Sequence, residues 1–374
     1  MSIYKHKPIS FFIFCLSFTC ATIYASESNT LQVGGTIQVD ATYINDDTAE
    51  LIPGSGTEVR RARLYIEGQH DENWKYKLRV GFEENNLSVK DAYMNNSDTG
   101  LKIGLFKPPF SIDEMTSSKF ITFMEQALPN AFKPGRRIGV AYHRYTNKIN
   151  FNAGIFGQGS ADGDSGDEGF GASTRITSPV IQTNSQLMHL GFNLSIENPE
   201  DDTNNSVSFD ARPESHITDN IVDTGTISNI DNIIRSGIEF SFVKKSFSIQ
   251  AETITVQLTK NDNSNDLVFN GSYIYASWFI TGEQRPYKAS KGTYGRIIPI
   301  NASTGAWELA ARFSDINLND DIINGGEASN TTIGINWYST KKTRFSMNFI
   351  HVKTNKNNIY GNPDILQLRA QIDF

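Results

Sequence analysis

The chain has 374 residues, with 34 Lys and Arg against 41 Asp and Glu, a formal net charge of −7. An acidic balance of this size argues against a nucleic-acid partner, which calls for a basic surface. Its two cysteines, Cys15 and Cys20, both lie in the first twenty residues, so the remainder has no thiol nucleophile, disulfide or Cys-based metal site.

The N-terminus carries Lys5, His6 and Lys7, an apolar run from Ile9 to Ile23, then Ala25-Ser26. That order predicts a secretory signal peptide, residues 1–25, cleaved after Ala25. A membrane-anchoring helix would need about twenty uninterrupted apolar residues, whereas this run contains Ser10, Ser17, Thr19 and Thr22. Lipidation at Cys20 is poorly served by the preceding Ser17-Phe18-Thr19. Removing Lys5 and Lys7 leaves 32 basic residues against 41 acidic ones, a mature charge near −9.

From Leu31 the chain alternates with period two: Leu31, Val33, Ile37, Val39, Ala41 and Tyr43 on one side, Gln32, Thr36, Gln38, Asp40 and Thr42 on the other. One face therefore meets lipid or core and the other water. The pattern recurs at 58–69, 73–84, 87–96, 99–107, 137–146, 148–158, 171–180, 185–197, 233–244, 246–259, 266–281, 304–315, 329–340, 342–355 and 364–374, sixteen candidate strands in all. An even number of strands about ten residues long predicts an all-β, antiparallel transmembrane β-barrel over residues 26–374. With a periplasmic N-terminus, the long connections 45–57, 107–137, 157–171, 197–233 and 315–329 face outward, while most inner turns are short. The exception is 281–304, on the inner side, with Arg285, Pro286, Lys288, Lys291 and Arg296. Trp74, Trp278, Trp307 and Trp337 fall near strand ends, where interfacial girdles sit. A soluble sandwich would instead use such aromatics as core, and would be unusual with this many long loops.

The stretch from Lys107 to Arg137 breaks the alternation. It opens with Pro108-Pro109 and closes with Pro134-Gly135, and Ile112 to Met124 has room for one or two helical turns. Inside a wide barrel such a connection folds inward and sets the pore width, which is the expectation here.

The phase of the strands places charges. With Ala62, Leu64 and Ile66 outward, Arg61 and Arg63 face the lumen; with Trp74, Tyr76, Leu78, Val80 and Phe82 outward, so do Lys75, Lys77 and Arg79. Lys102, Arg235, Arg312, Arg344 and Arg369 share the inward phase, together with Asp91, Glu239 and Glu308. Burying a charge on the lipid face costs about 2–4 kcal/mol at mid-membrane, so inward placement is favoured on energy alone. Such charges either pair among themselves or form a basic column that passing anions meet. Catalysis finds little support. Gly163-Asp164-Ser165-Gly166 is followed by Asp167 rather than the glycine of a protease nucleophile loop, and His70, His143, His189, His216 and His351 lie on separate hairpins. An outer-membrane barrel enzyme is the alternative of a different class. The acidic cluster Asp162, Asp164, Asp167 and Glu168 is a solvated loop or a place where divalent ions bridge lipopolysaccharide. No resident metal or cofactor is expected.

Several segments resemble, in order, the porin O and P family of outer-membrane channels. They are Val59-Arg60-Arg61-Ala62-Arg63, Trp74-Lys75-Tyr76-Lys77, Lys90-Asp91-Ala92-Tyr93, Thr116-Ser117-Ser118-Lys119, Ile121-Thr122-Phe123-Met124-Glu125, Pro134-Gly135-Arg136-Arg137-Ile138-Gly139, Gly305-Ala306-Trp307-Glu308-Leu309 and Gly334-Ile335-Asn336-Trp337-Tyr338. The resemblance implies a homotrimer in the outer membrane of a Gram-negative bacterium, passing small hydrophilic solutes passively, with a preference for anions such as phosphate. It implies that Arg60, Arg61 and Asp91 belong to the constriction, that Lys119 is its loop lysine, that Arg212 is a guide arginine in the fifth outer loop, and that 281–304 folds into the lumen. Thr36, Glu114 and Gln126 stand where phosphate-selective members are expected to carry basic residues, which leaves a general diffusion porin as the alternative. The terminal Phe374, after alternating Leu366, Leu368, Ala370 and Ile372, resembles the assembly signal of outer-membrane barrels.

Overall fold

The structure, a computed structural model, describes residues 31–46, 54–83, 86–157, 168–199, 205–262 and 264–374. The expected signal peptide and all of the acidic cluster except Glu168 lie outside these residues, as does Ser165.

The barrel strands are β1 (Leu31–Asn45), β2 (Gly56–Gln69), β3 (Trp74–Glu83), β4 (Asn86–Asn96), β5 (Leu101–Phe106), β6 (Arg137–Thr146), β7 (Ile149–Gly157), β8 (Phe170–Gln182), β9 (Gln186–Asn198), β10 (Ile230–Lys244), β11 (Phe247–Lys260), β12 (Leu267–Phe279), β13 (Ala306–Asp320), β14 (Ile323–Tyr338), β15 (Thr343–Lys356) and β16 (Asp364–Asp373). Each pairs antiparallel with its sequence neighbour, and β16 closes onto β1 from Thr36↔Asp373 to Asn45↔Asp364. Closure leaves no open edge, which a bilayer requires because nothing in lipid pairs with a free backbone group. The short strand Ile359–Gly361 pairs with β15 just before Pro363 interrupts the run into β16, so the barrel has sixteen staves. The seam is completed by Phe374, whose backbone exchanges hydrogen bonds with Gly35. A Cβ at Gly35 would strike the Phe374 ring.

Outward residues such as Ile37, Val39, Leu64, Ile66, Leu366, Leu368 and Ile372 are exposed, and their neighbours Gln38, Asp40, Arg61, Gln367, Arg369 and Gln371 are buried inside. This is the expected alternation. Two corrections follow. The connection taken as 315–329 is mostly strand, since β13 and β14 continue to Asp320 and from Ile323 with only Asp321-Ile322 between them. The polarity also inverts near the outer ends of β11 to β15. There Ile254, Val256, Leu258, Ile316, Leu318, Ile350 and Val352 point inward and are buried, while Thr253, Gln257, Glu327 and Lys353 point outward.

The inward apolar ends exist because the lumen is partly filled. Phe209, Ile221, Val222 and Ile227 of the outer connection 205–229 pack on them, together with Phe110, Leu128 and Phe132 of the 107–136 connection. From the other side the 280–305 connection inserts Tyr294 against Ile112, Leu187 and Val243. Arg175 fixes its course by donating to the Lys291 and Gly292 carbonyls (3.1 and 2.7 Å) while its Nε and Nη2 bond both carboxylate oxygens of Glu239. All three segments crowd the β8–β16 wall. What remains open is a cavity of ≈ 1250 Å³ against β2 to β7.

Candidate functional site

The 107–136 connection folds into the barrel, as expected. Ser111, in the left-handed region (φ 63°), caps the single helical turn Ile112–Met115 by accepting from the Glu114 amide, and its hydroxyl donates to Glu252 (2.8 Å). The second turn is a 3₁₀ segment, Leu128–Phe132, beyond the stretch expected to coil. Phe123 and Ala127 pack against Tyr273, Tyr275 and Ala310 of the wall. The extended stretch between the turns offers carbonyls to inward arginines: Arg344 donates to Ile121 and Thr122, Arg369 to Met124 and Arg312 to Glu125. Three arginines expected on the inward phase are therefore anchors for the loop.

On the open side the loop presents Glu125. Arg60 meets its carboxylate edge-on, Nε to Oε1 at 2.8 Å and Nη2 to Oε2 at 3.0 Å. Arg61 does so at 3.1 and 3.4 Å, and Arg369 Nη2 adds a bond of 2.6 Å while also bridging to Asp40. Burial by itself would raise the Glu125 pKa; Arg61, Arg60 and Arg369 overcome it and hold the group well below the ordinary 4.5.

The lower loop corner is a second charged knot. Glu114 accepts from Lys107 (2.9 Å), lies 3.8 Å from Lys133 and receives Gln126 Nε2 at 3.0 Å. Burial raises the Glu114 pKa, yet Lys107 and Lys133 bring it down to about 2, and burial brings Lys107 down to about 8 despite Glu114. Glu114 and Gln126, which depart from the basic residues of phosphate-selective members, thus hold the loop to itself. Thr36 is buried on the inner face of β1.

The other expected site residues divide. Arg63 pairs with Glu83 (2.6 Å), Lys77 with Glu67 (2.5 Å), and Arg79 and Arg136 share Asp91 (3.0 and 3.1 Å). Lys75 lines the cavity near its inner mouth. Lys119 lies over Tyr65 (5.5 Å) and Phe120 (5.6 Å), and Lys102 is wedged over Tyr93 (3.8 Å) and Phe106 (4.2 Å), cations held by ring faces. Arg212 lines the cavity from the outer connection and donates to the His216 carbonyl (2.6 Å), and His216 in turn bonds Glu58 on β2. Sequence reasoning missed Lys107, Lys133 and Arg136 as lining residues and missed the role of Glu125. A lone carboxylate, the single charge between Phe120 and Phe132, was the available signal, since a buried charge demands partners.

Thirteen lysines and arginines line the cavity against seven aspartates and glutamates among the described residues, an excess of six positive charges. No cluster of three or more His, Cys, Asp or Glu able to hold a metal ion occurs among the described residues.

Comparison with known proteins agrees with this architecture. Over residues 31–374 the chain matches the family model described as phosphate-selective porin O and P. Porin O of Pseudomonas aeruginosa is 24% identical over 377 residues, covering 87% of this chain and 83% of that protein. The fold is shared with the anion-selective porin from Comamonas acidovorans (TM-score 0.60, 12% identity, 92% of this chain and 100% of that one). It is shared as well with the in-vitro folded, trimer form of OmpT from Vibrio cholerae (TM-score 0.58, 8% identity, 93% and 100%). A closed barrel with an apolar outer belt, a charged lumen narrowed by an inward loop and a family match across every strand make this an outer-membrane porin, and the chain belongs to the phosphate-selective porin O and P family.

Proposed function

We propose that this porin passes small hydrophilic solutes with a modest preference for anions, phosphate among them. The excess of six positive charges on the cavity wall, in a chain whose net charge is −7, is the observation that carries the reading. Fixed positive charge in a narrow, low-dielectric passage raises the local anion concentration, and guanidinium forks fit phosphate oxygens. The preference is modest because Arg60, Arg61, Arg63, Lys77 and Arg79 each face a protein carboxylate. Lys75, which lines the cavity and makes no ion pair among the described residues, is the cation most available to a solute, with Arg212 at the outer mouth. In planar bilayers a potassium chloride gradient should give a reversal potential on the anion side, and phosphate should block the chloride current weakly. A cation-selective wild type would end the proposal in favour of a general diffusion porin.

Assembly as a homotrimer is in keeping with the trimer form of the Vibrio cholerae neighbour that shares the fold. Cross-linking in detergent should trap three copies. The exposed apolar belt suits outer-membrane lipid, with lipopolysaccharide at the outer rim. We infer further that residues 1–25 are removed on export and that 26–374 form the barrel unit, so Edman degradation of the outer-membrane form should begin at Ser26.

A further inference from the structure

The groups around Glu125 form a site already occupied by part of the protein. Five N–H donors from three arginines converge on two carboxylate oxygens, at 2.8 and 3.0 Å from Arg60, 3.1 and 3.4 Å from Arg61, and 2.6 Å from Arg369. The flanking acceptors are Asp40, on Arg369 at 2.7 and 2.6 Å, and Gln38 Oε1, on Arg61 at 2.8 Å. Three guanidiniums against two carboxylates leave one net positive charge. Arg60, Arg61 and Glu125 all line the open cavity, so a mobile solute reaches the same forks. Two guanidinium edges presented side by side are what a tetrahedral oxyanion uses, and a carboxylate reproduces two of its oxygens.

We propose that Glu125 is a specificity-determining residue of this pore: a tethered carboxylate that fills the oxyanion site made by Arg60, Arg61 and Arg369 and thereby keeps mobile phosphate from binding tightly. This rests on the reading of the lumen as an anion path. A tethered group competes at an effective concentration of millimolar order or more, so dilute phosphate is displaced while the solute still passes. The loop does not depend on this carboxylate alone, because its backbone carbonyls from Ile121 to Glu125 are held independently by Arg344, Arg369 and Arg312.

The test is Glu125→Gln, which preserves shape and one acceptor oxygen but removes the charge. The concentration of inorganic phosphate that halves the chloride current should fall on the order of tenfold, since a charge-assisted hydrogen-bond set is released to the solute. Adding Arg60→Gln should return it toward the wild-type value. An unchanged half-blocking concentration in E125Q, or a higher conductance with no tighter block, overturns the proposal and leaves Glu125 as a loop anchor only. Should E125Q fail to insert, Glu125→Asp keeps the charge but withdraws it by one methylene and should tighten block to a smaller extent; no change there overturns it equally. The wild-type reversal potential in a chloride gradient reports separately on anion preference, so failure of that reading is distinguishable from failure of this one.

Discussion

Arg60 and Arg61 are adjacent in sequence, yet both side chains reach the same carboxylate. The reason is a β-bulge: Gln38 pairs with Arg61 and Val39 with Val59, so Arg60 is an extra residue in the ladder. Period-two phasing places Arg61 and Arg63 inward but puts Arg60 in lipid, and only the family resemblance corrected it. The same device recurs at Lys90, between the pairs Arg79↔Asp91 and Val80↔Val89, and turns Lys90 toward Glu83 (2.9 Å). Replacing Arg60 and Arg61 together with alanine removes two positive charges and leaves Glu125 with Arg369 alone. The reversal potential in a chloride gradient should then move toward cations; an unmoved value would mean that ions pass elsewhere in the lumen. A second residue-scale prediction concerns pH. Lys107 loses its proton near pH 8, below its ordinary 10.5, and burial lowers the Lys119 pKa as well. Raising the pH from about 7 to about 9 therefore removes positive charge from the constriction and should weaken anion preference. Stability responds with a different sign at each group. Glu114, depressed to about 2, contributes fully above its ordinary 4.5 and loses its contribution as pH falls through that window. Lys107, also depressed, is a burden below about 8 that fades as the pH rises toward 10.5. Lys107→Gln should flatten the alkaline change in selectivity.

At the scale of elements, the barrel strands were legible because lipid on one side and a charged lumen on the other impose period two on nearly every stave. Legibility failed where that environment changes. On β11 the outward Phe247, Ile249 and Ala251 give way to Thr253, Thr255 and Gln257, as the inward Ser248, Gln250 and Glu252 give way to Ile254, Val256 and Leu258. Above the bilayer the outer face meets water and the inner face meets the packed 107–136 and 205–229 connections, so the same period runs with opposite polarity. The connection expected at 315–329 dissolved for that reason: its residues alternate in the inverted sense and read as loop. The constriction loop itself was legible from its prolines and its lost periodicity, whereas which inward residue meets which loop atom, from Arg60 on β2 to Arg369 on β16, was not. Deleting Asp113 to Ala127 removes Phe123 from Tyr275 (5.5 Å between ring centroids) and Glu125 from Arg60 and Arg61. Single-channel conductance should rise, provided that the variant keeps heat-modifiable migration as evidence of a closed barrel. Unchanged conductance in such a folded variant would show that the 205–229 and 280–305 connections set the narrowest point.

For the whole molecule, the decisive feature is that charge is segregated. The chain carries −7 overall and the cavity wall carries an excess of six positive charges, so the rest of the chain is strongly acidic. Net charge is therefore no guide to the solute, and strand phase was the better one. Two mechanisms of anion preference make different predictions from this arrangement. If the field of the whole wall concentrates anions, salt screens it: the Debye length is about 10 Å at 0.1 M and about 3 Å at 1 M. If preference comes instead from short hydrogen bonds at Lys75 or the Arg60–Arg61 pair, screening reaches it little. Most wall cations are paired at 2.5 to 3.1 Å with carboxylates, which cancels their near field and leaves mainly the summed excess. The anion-to-cation permeability ratio should therefore fall steeply as the mean potassium chloride concentration rises from about 0.1 to about 1 M. A ratio independent of salt would locate selectivity in close contacts, and Lys75 with the Arg60–Arg61 pair would then be the first residues to replace.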